Sequence, residues 1–118
     1  MKILIIDDEF IITDALGSYL KENHEVTLFN DSQKAFNHYE QNQHFNLIIT
    51  DFLMPNLRGD ELIEKVLKIN SNQLIIVISG FFTKQFSDIL IKFNANIRMI
   101  DKPIEPKELD LALETIQQ

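Results

Sequence analysis

"LIITDFLMPNLRGDEL", residues 47–62, decides how this chain is read. Leu47-Ile48-Ile49-Thr50 has the composition of a strand inside a sheet, and the chain leaves it on a lone carboxylate, Asp51. Met54-Pro55 then sets a loop, and Gly59 marks a place of close packing or of a backbone angle that other residues avoid. Beyond it Leu62, Ile63, Val66, Leu67 and Ile69 recur at helical spacing. The stretch is a strand, a loop and a helix, with a carboxylate where strand becomes loop.

The same alternation runs outward in both directions. Apolar runs at 2–6, 25–29, 46–50, 74–78 and 97–100 are too short for helices and rich in Ile, Val or Leu, as in strands buried on both faces. Helical spacing fills the gaps. Ile12, Leu16, Tyr19 and Leu20 share one face, and Asp31-Ser32 caps a helix carrying Ala35, Phe36 and Tyr39. A fourth helix is expected over 84–93, ended by Asn94 in a left-handed conformation. A fifth follows Pro106, with Leu109, Leu111, Ala112, Leu113 and Ile116 available for burial. Alternating strands and helices predict an α/β fold, a doubly wound parallel sheet covered on both sides through right-handed crossovers.

The bulk composition agrees. With 118 residues, 45% hydrophobic and 25% charged, the chain suits one domain, 1–118, with no linker, repeat or room for an output module. It contains no cysteine, so disulfides and thiolate metal sites are excluded. The first apolar run ends at Asp7-Asp8-Glu9, too early for a signal peptide or a membrane span, and a soluble cytoplasmic protein is expected. A net charge of −7 argues against contact with nucleic-acid backbones and favours protein partners.

In an open α/β sheet, ligands bind outside the carboxyl ends of the strands. Here the first strand ends in Asp7-Asp8, the third in Asp51, the fourth in Ser79-Gly80 and the fifth in Asp101-Lys102-Pro103. Asp7, Asp8 and Asp51 would repel one another without a cation among them, and a few hard carboxylate oxygens with room for water and phosphate describe a Mg²⁺ site. Lys102 brings a point charge suited to phosphate, Ser79 a hydroxyl donor, and Gly80 an open approach. Asp51, alone at its strand end, is the natural nucleophile, and a carboxylate nucleophile beside Mg²⁺ yields an aspartyl phosphate. Any one of these residues alone reads better as turn, cap or surface chemistry; it is their common placement at strand ends that favours function.

The pieces "IIDDE" at 5–9, "DFLMPNLRG" at 51–59, "ISG" at 78–80 and "DKP" at 101–103 stand in the order and spacing of a known family. Over essentially its whole length the chain resembles the receiver domain of two-component response regulators, the chemotaxis-regulator type included. The resemblance implies a flavodoxin-like sheet of order 2-1-3-4-5. It implies transfer of a phosphoryl group to Asp51 from a histidine kinase or histidine phosphotransfer protein. Asp8, Asp51 and the backbone carbonyl of Leu53 would bind Mg²⁺, with Asp7 acting through water, and Ser79 and Lys102 would hold the phosphoryl oxygens. A cis Lys102–Pro103 bond is also implied. As a receiver the chain would promote its own phosphorylation and dephosphorylation without being an enzyme towards another substrate.

Three departures from the family pattern carry expectations. Met99 stands where the family usually has Tyr or Phe, so switching by an aromatic side chain is in question. Asn94-Ala95 replaces the usual Gly-Ala, a milder change because Asn tolerates positive φ. Leu53 and Phe81, two beyond Asp51 and two beyond Ser79, cannot orient an attacking water, so slow self-dephosphorylation is expected. Phe81, Phe82 and Phe86 form either core packing or, with Met99, part of a partner face made by helix four, strand five and helix five. Ile12 and Ala15, with Ile104 across the crevice, offer a docking patch for a histidine-bearing helix, though Ile12 also fits the core stripe. His24, His38 and His44 read as surface residues away from the crevice. The output would be a downstream protein target or an output domain, with phosphorylation-dependent homodimerisation as one route.

The rivals are weaker. A Mg²⁺-dependent phosphatase using an aspartyl nucleophile places D-x-D after its first strand and needs a substrate cap; here the sequence is Asp7-Asp8-Glu9 and no chain is left for a cap. A flavin or dinucleotide module needs a glycine-rich phosphate loop, and the three glycines Gly17, Gly59 and Gly80 do not form one. A degenerate receiver, acting as an interaction module independent of phosphorylation, is opposed by the intact acidic set and kept open by Met99.

Overall fold

In the computed structural model, which describes residues 1–42, 44–80, 84–93 and 96–117, the strands and helices alternate without exception. They are β1 (Lys2–Ile6), α1 (Phe10–Leu20), β2 (Glu25–Phe29), α2 (Ser32–Gln41), β3 (Leu47–Asp51), α3 (Gly59–Ile69), β4 (Leu74–Ser79), α4 (Lys84–Ile91), β5 (Ile97–Asp101) and α5 (Pro106–Gln117). The five strands form one sheet of order β2-β1-β3-β4-β5, parallel throughout. Parallel strands cannot be joined by a tight turn, so α1, α3 and α4 are crossovers between neighbouring strands, while α2 carries the chain from β2 back past β1 to β3.

Alternate residues of the strands feed two cores. Leu4, Ile6, Ile48, Ile75 and Val77 pack against α2 and α3 through Phe36, Tyr39, Leu62, Ile63 and Val66. Ile3, Ile5, Leu47, Ile49, Ile76 and Ile78 pack against α1 and α5 through Leu16, Leu20, Leu109, Ala112 and Leu113. Every residue of β3 is buried, as its composition predicts.

Burial on both faces does not extend to the outer strands. Leu28 of β2 is 41% exposed, and Arg98, Met99 and Asp101 of β5 are exposed. Both strands lie at the sheet's edges, where one neighbour is missing and the covering helices end. Two helical residues expected inside are outside: Tyr19, whose hydroxyl donates to Asp110 across the α1–α5 seam at 2.9 Å, and Leu111, 63% exposed. His44 is exposed as expected, whereas His38 is half-buried, its ring 5.2 Å from that of Phe29 and 6.0 Å from that of Phe45.

The loop after β3 resolves the two readings of Gly59. Its N–H donates to the Phe52 carbonyl at 2.7 Å, and a Cβ there would lie 2.8 Å from the Asp51 carbonyl oxygen. Close approach is the reason for glycine; the left-handed residue of this loop is Asn56, φ 71°. Strand register then sets the level of the strand ends. Ile6 pairs with Thr50, Asp51 with Ile78 and Ser79 with Asp101, so the polar termini of β1, β3, β4 and β5 come out at one edge.

Candidate functional site

Asp51 is the last residue of β3 and is only 5% exposed. Its Oδ1 accepts from the Phe52 N–H at 2.9 Å, while Oδ2 lies 3.5 Å from Lys102 Nζ. Lys102 follows the end of β5, where its own N–H donates to the Ser79 carbonyl at 2.9 Å and extends the ladder by one step. That bond aims the lysine side chain back over the strand ends. The Lys102–Pro103 peptide is cis.

Asp7 follows β1 and is fully buried. Its Oδ1 accepts from the Glu9 N–H at 2.9 Å; its Oδ2 forms an ion pair with Lys102 Nζ at 2.9 Å but, among the described residues, has no aligned hydrogen bond. Asp8 is exposed at the mouth. One carboxylate oxygen each from Asp7, Asp8 and Asp51 lie within 4.8 Å of one another. Ser79, 1% exposed, and Gly80 complete the far wall of a cleft of about 290 Å³ that Asp51, Lys102 and Leu53 also line. A Cβ on Gly80 would come no nearer than 4.0 Å to Lys102, so the approach there is open.

The electrostatics are those of a frustrated cluster. Burial first, and then the neighbouring Asp7 charge, push the Asp51 carboxyl up to about 6, with Lys102 and the Phe52 N–H only partly offsetting them. Asp7 is raised as well, again mainly by burial. For Lys102 burial works against the ammonium, but contacts with Asp7, Asp51 and Glu9 outweigh it and hold the group above its ordinary range. Of the four carboxylates Asp7, Asp8, Glu9 and Asp51, three pair with the Lys102 ammonium and Asp8, among the described residues, does not, while the buried Asp7 Oδ2 lacks an aligned donor there. A hard divalent cation would satisfy this set, whereas a neutral ligand would not.

The structure thus brings Asp7, Asp8, Asp51, Ser79 and Lys102 together at one edge, as the strand-end argument expects. It adds Glu9, whose Oε1 lies 3.2 Å from Lys102 Nζ. Nothing in "IIDDE" marks Glu9 as a partner of a lysine ninety-three residues away; only the sheet order does. Leu53 is 44% exposed at the mouth. Ile104 lines an apolar groove of about 260 Å³ with Ala15, Tyr19 and Pro106, and half-buried Ile12 packs into the adjoining core. Met99, 39% exposed, lies on β5 beside Leu111, while the Phe86 ring stacks 4.6 Å from Phe52 under α4. Phe81, Phe82, Asn94 and Ala95, with the expectations placed on them, lie outside the described residues.

Comparison with known proteins agrees with this fold. The response regulator receiver domain family model matches residues 3–114, and the chain belongs to that family. It is 31% identical over 98% of its length to an uncharacterized transcriptional regulatory protein, YesN, of Bacillus subtilis. It is 29% identical over 96% of its length to the transcriptional regulatory protein FixJ of Bradyrhizobium diazoefficiens. It spans 32% of the first and 55% of the second, less than two thirds of either. Among solved structures, a response regulator receiver domain protein from Clostridium thermocellum superposes with a TM-score of 0.89 at 26% identity, covering 98% of this chain and 92% of that one. A CheY-like receiver domain protein from Methanospirillum hungatei gives 0.88 at 28%, covering 98% and 93%. Among the described residues, no helix is long and apolar enough to cross a membrane.

Proposed function

We propose that this receiver domain is a working phosphoacceptor: Asp51 takes a phosphoryl group from a phosphohistidine on a kinase or phosphotransfer protein, and the product changes the chain's protein contacts. The observation that carries the reading is the placement of Asp51. It is nearly buried, it ends a central strand, and it is reached by a lysine and by the oxygens of two further aspartates.

A carboxylate oxygen of Asp51 attacks phosphorus; the O–P bond forms as the donor's N–P bond breaks, and the departing imidazole keeps the bonding pair and takes up a proton. Lys102 turns from the carboxylates to the phosphoryl oxygens, and the Ser79 hydroxyl donates to another. Asp8, Asp51 and the Leu53 carbonyl would hold Mg²⁺, with Asp7 behind them. Bound there, the ion neutralises the carboxylates and the incoming phosphoryl charge. The raised Asp51 carboxyl is a property of the metal-free cluster.

Partner surfaces follow from the same frame. The groove between α1 and α5 beside Ile104 would receive the donor's helix, and the Met99–Leu111 face of β5 and α5 would meet the downstream target or a second copy. A degenerate receiver is the second reading, favoured by Met99, which has no ring to report phosphorylation. Intact mass after incubation with an acyl-phosphate donor separates the two. One added phosphoryl group, dependent on Mg²⁺ and absent in Asp51→Asn, supports the acceptor; no addition, even from a phosphohistidine donor, supports the degenerate module.

A further inference from the structure

The cleft's walls are joined by a segment that contributes no group to it. Residues 30–32, the link from β2 and the first residue of α2, touch both the turn that carries Asp7, Asp8 and Glu9 and the loop that follows Asp51. Asn30 Nδ2 donates to the Asp7 carbonyl at 2.8 Å and to Thr13 Oγ1 at 2.9 Å. Thr13 is buried, and its hydroxyl proton is committed to the Phe10 carbonyl at 3.1 Å. Both atoms facing Nδ2 therefore act as acceptors, which settles the orientation of the amide and requires a donor at this position. On the other side, Asp31 caps α2 through the Lys34 N–H at 2.9 Å and accepts from Asn56 Nδ2 at 3.0 Å, holding the left-handed residue of the β3–α3 loop. Ser32 Oγ donates to the Pro55 carbonyl and accepts from the Leu57 N–H.

We infer that Asn30 is a positioning residue for the acidic cleft: its two donated hydrogen bonds hold the Asp7–Glu9 turn against α1, so that the acidic pair faces Asp51 at metal-binding separation. The reason such a tether is needed is mutual repulsion. Asp7 and Asp8 sit beside Asp51, and without cation the turn would relax outward. The Asp7 N–H bond to the Phe29 carbonyl, 3.1 Å, holds one side of that turn, and Asn30 holds its carbonyl on the same peptide stretch. Among the described residues the Asn30 side chain donates to Asp7 and Thr13 and to neither Asp51 nor Lys102, so its effect is on geometry.

The inference rests on the cleft being a Mg²⁺-dependent acceptor site, and its test separates the two. Asn30→Ala removes both donors; Asn30→Asp keeps the shape but sets a carboxylate against the Asp7 carbonyl. Tyr39→Phe, which loses a buried hydroxyl bond to Gln73 far from the cleft, controls for general destabilisation. Mg²⁺ affinity by calorimetry is measured on the full chain, with hydrogen exchange of the Asp7 and Glu9 amides in metal-free buffer. The expected result is at least a tenfold loss of Mg²⁺ affinity in Asn30→Ala, a larger loss in Asn30→Asp, and faster exchange at both amides in each. Tyr39→Phe should bind Mg²⁺ as the wild type does. Affinity within twofold of wild type in both Asn30 variants overturns the inference. If the wild type itself binds no Mg²⁺, the acceptor reading fails instead, and the exchange data still decide on Asn30: unchanged protection of Asp7 and Glu9 sinks the positioning role.

Discussion

Two buried polar clusters in this molecule follow opposite rules. Near the amino-terminal ends of β3 and β4, Tyr39 donates to Gln73 Oε1 at 2.7 Å, and Gln73 Nε2 donates to the Phe45 and Leu74 carbonyls at 3.1 and 3.2 Å. Tyr39 is 1% exposed and Gln73 2%, all its members are neutral, and the donors meet acceptors. At the opposite edge of the sheet, past the carboxyl ends of β1 and β3, Asp7 and Asp51 are as deeply buried, and both carboxyls are raised above the ordinary carboxylate range. The first cluster is complete without a ligand. The second becomes complete only when something positive, and then something anionic, enters.

The largest expected effect breaks the satisfied cluster. Gln73→Ala removes the acceptor of the Tyr39 hydroxyl and the side-chain donor to the Phe45 carbonyl and opens a small void, which should lower stability by about 2–4 kcal/mol. Chemical denaturation measures it, and Mg²⁺ affinity should not move.

The frustrated cluster should respond with the opposite sign. The Asp51 carboxyl titrates at about 6 in the folded chain, above its ordinary 3.8. Between those values the folded chain binds more protons than the unfolded one, so this group's contribution to stability falls as pH rises and is most unfavourable above pH 6. Asp51→Asn should therefore stabilise the metal-free protein at pH 7.5, on the order of 2 kcal/mol, with the gain vanishing near pH 4. Melts in chelator at the two pH values check it. Equal stability of the two proteins at pH 7.5 would mean that Lys102 already balances the cluster.

What could be read from sequence divides along the same line. β1 and β2 stand where their apolar runs place them, and β3, β4 and β5 each run one residue further, ending on Asp51, Ser79 and Asp101 themselves. Strand composition reports burial but not pairing, and pairing carries the ladder onto the polar residue. The five cleft residues were legible because each sits next to a strand end along the chain. Glu9 and Asn30 were not, since one meets Lys102 and the other meets Asp7 and Thr13 only after β2, β1 and β5 take their places in the sheet. The exposure of β2 and β5 was hidden for the same reason: an Ile- or Val-bearing strand does not state whether it will be central or at an edge.

A divalent cation should bring the second cluster closer to the condition of the first. At ten times its Kd, a ligand specific for the folded state adds about 1.4 kcal/mol of stability. Mg²⁺ should therefore raise the Tm of the wild type by a few degrees at pH 7.5. Asp8→Asn should abolish that response while leaving the fold intact, because Asp8 is exposed and lies within reach of the other two carboxylates. A Tm rise of equal size in Asp8→Asn would place the ion elsewhere.

The smallest expected effect concerns how long the completed state lasts. Leu53, 44% exposed, stands at the mouth of the cleft with an apolar side chain that cannot hold a water in line with an acyl phosphate. Leu53→Asn introduces an amide able to orient one, and general assistance of that kind at an exposed position should shorten the phosphoryl half-life about threefold to tenfold, that is, lower the barrier by about 0.6–1.4 kcal/mol. The decay of the intact-mass signal after removal of the donor measures it, with little change in fold stability expected because Leu53 lies at the rim and outside both cores. In the neutral cluster a substitution shifts stability and leaves rates alone; at the cleft mouth it should shift a rate and leave stability alone. A half-life in Leu53→Asn equal to that of the wild type would show that water is excluded from Asp51 by the depth of the strand end, not by the residue at its rim.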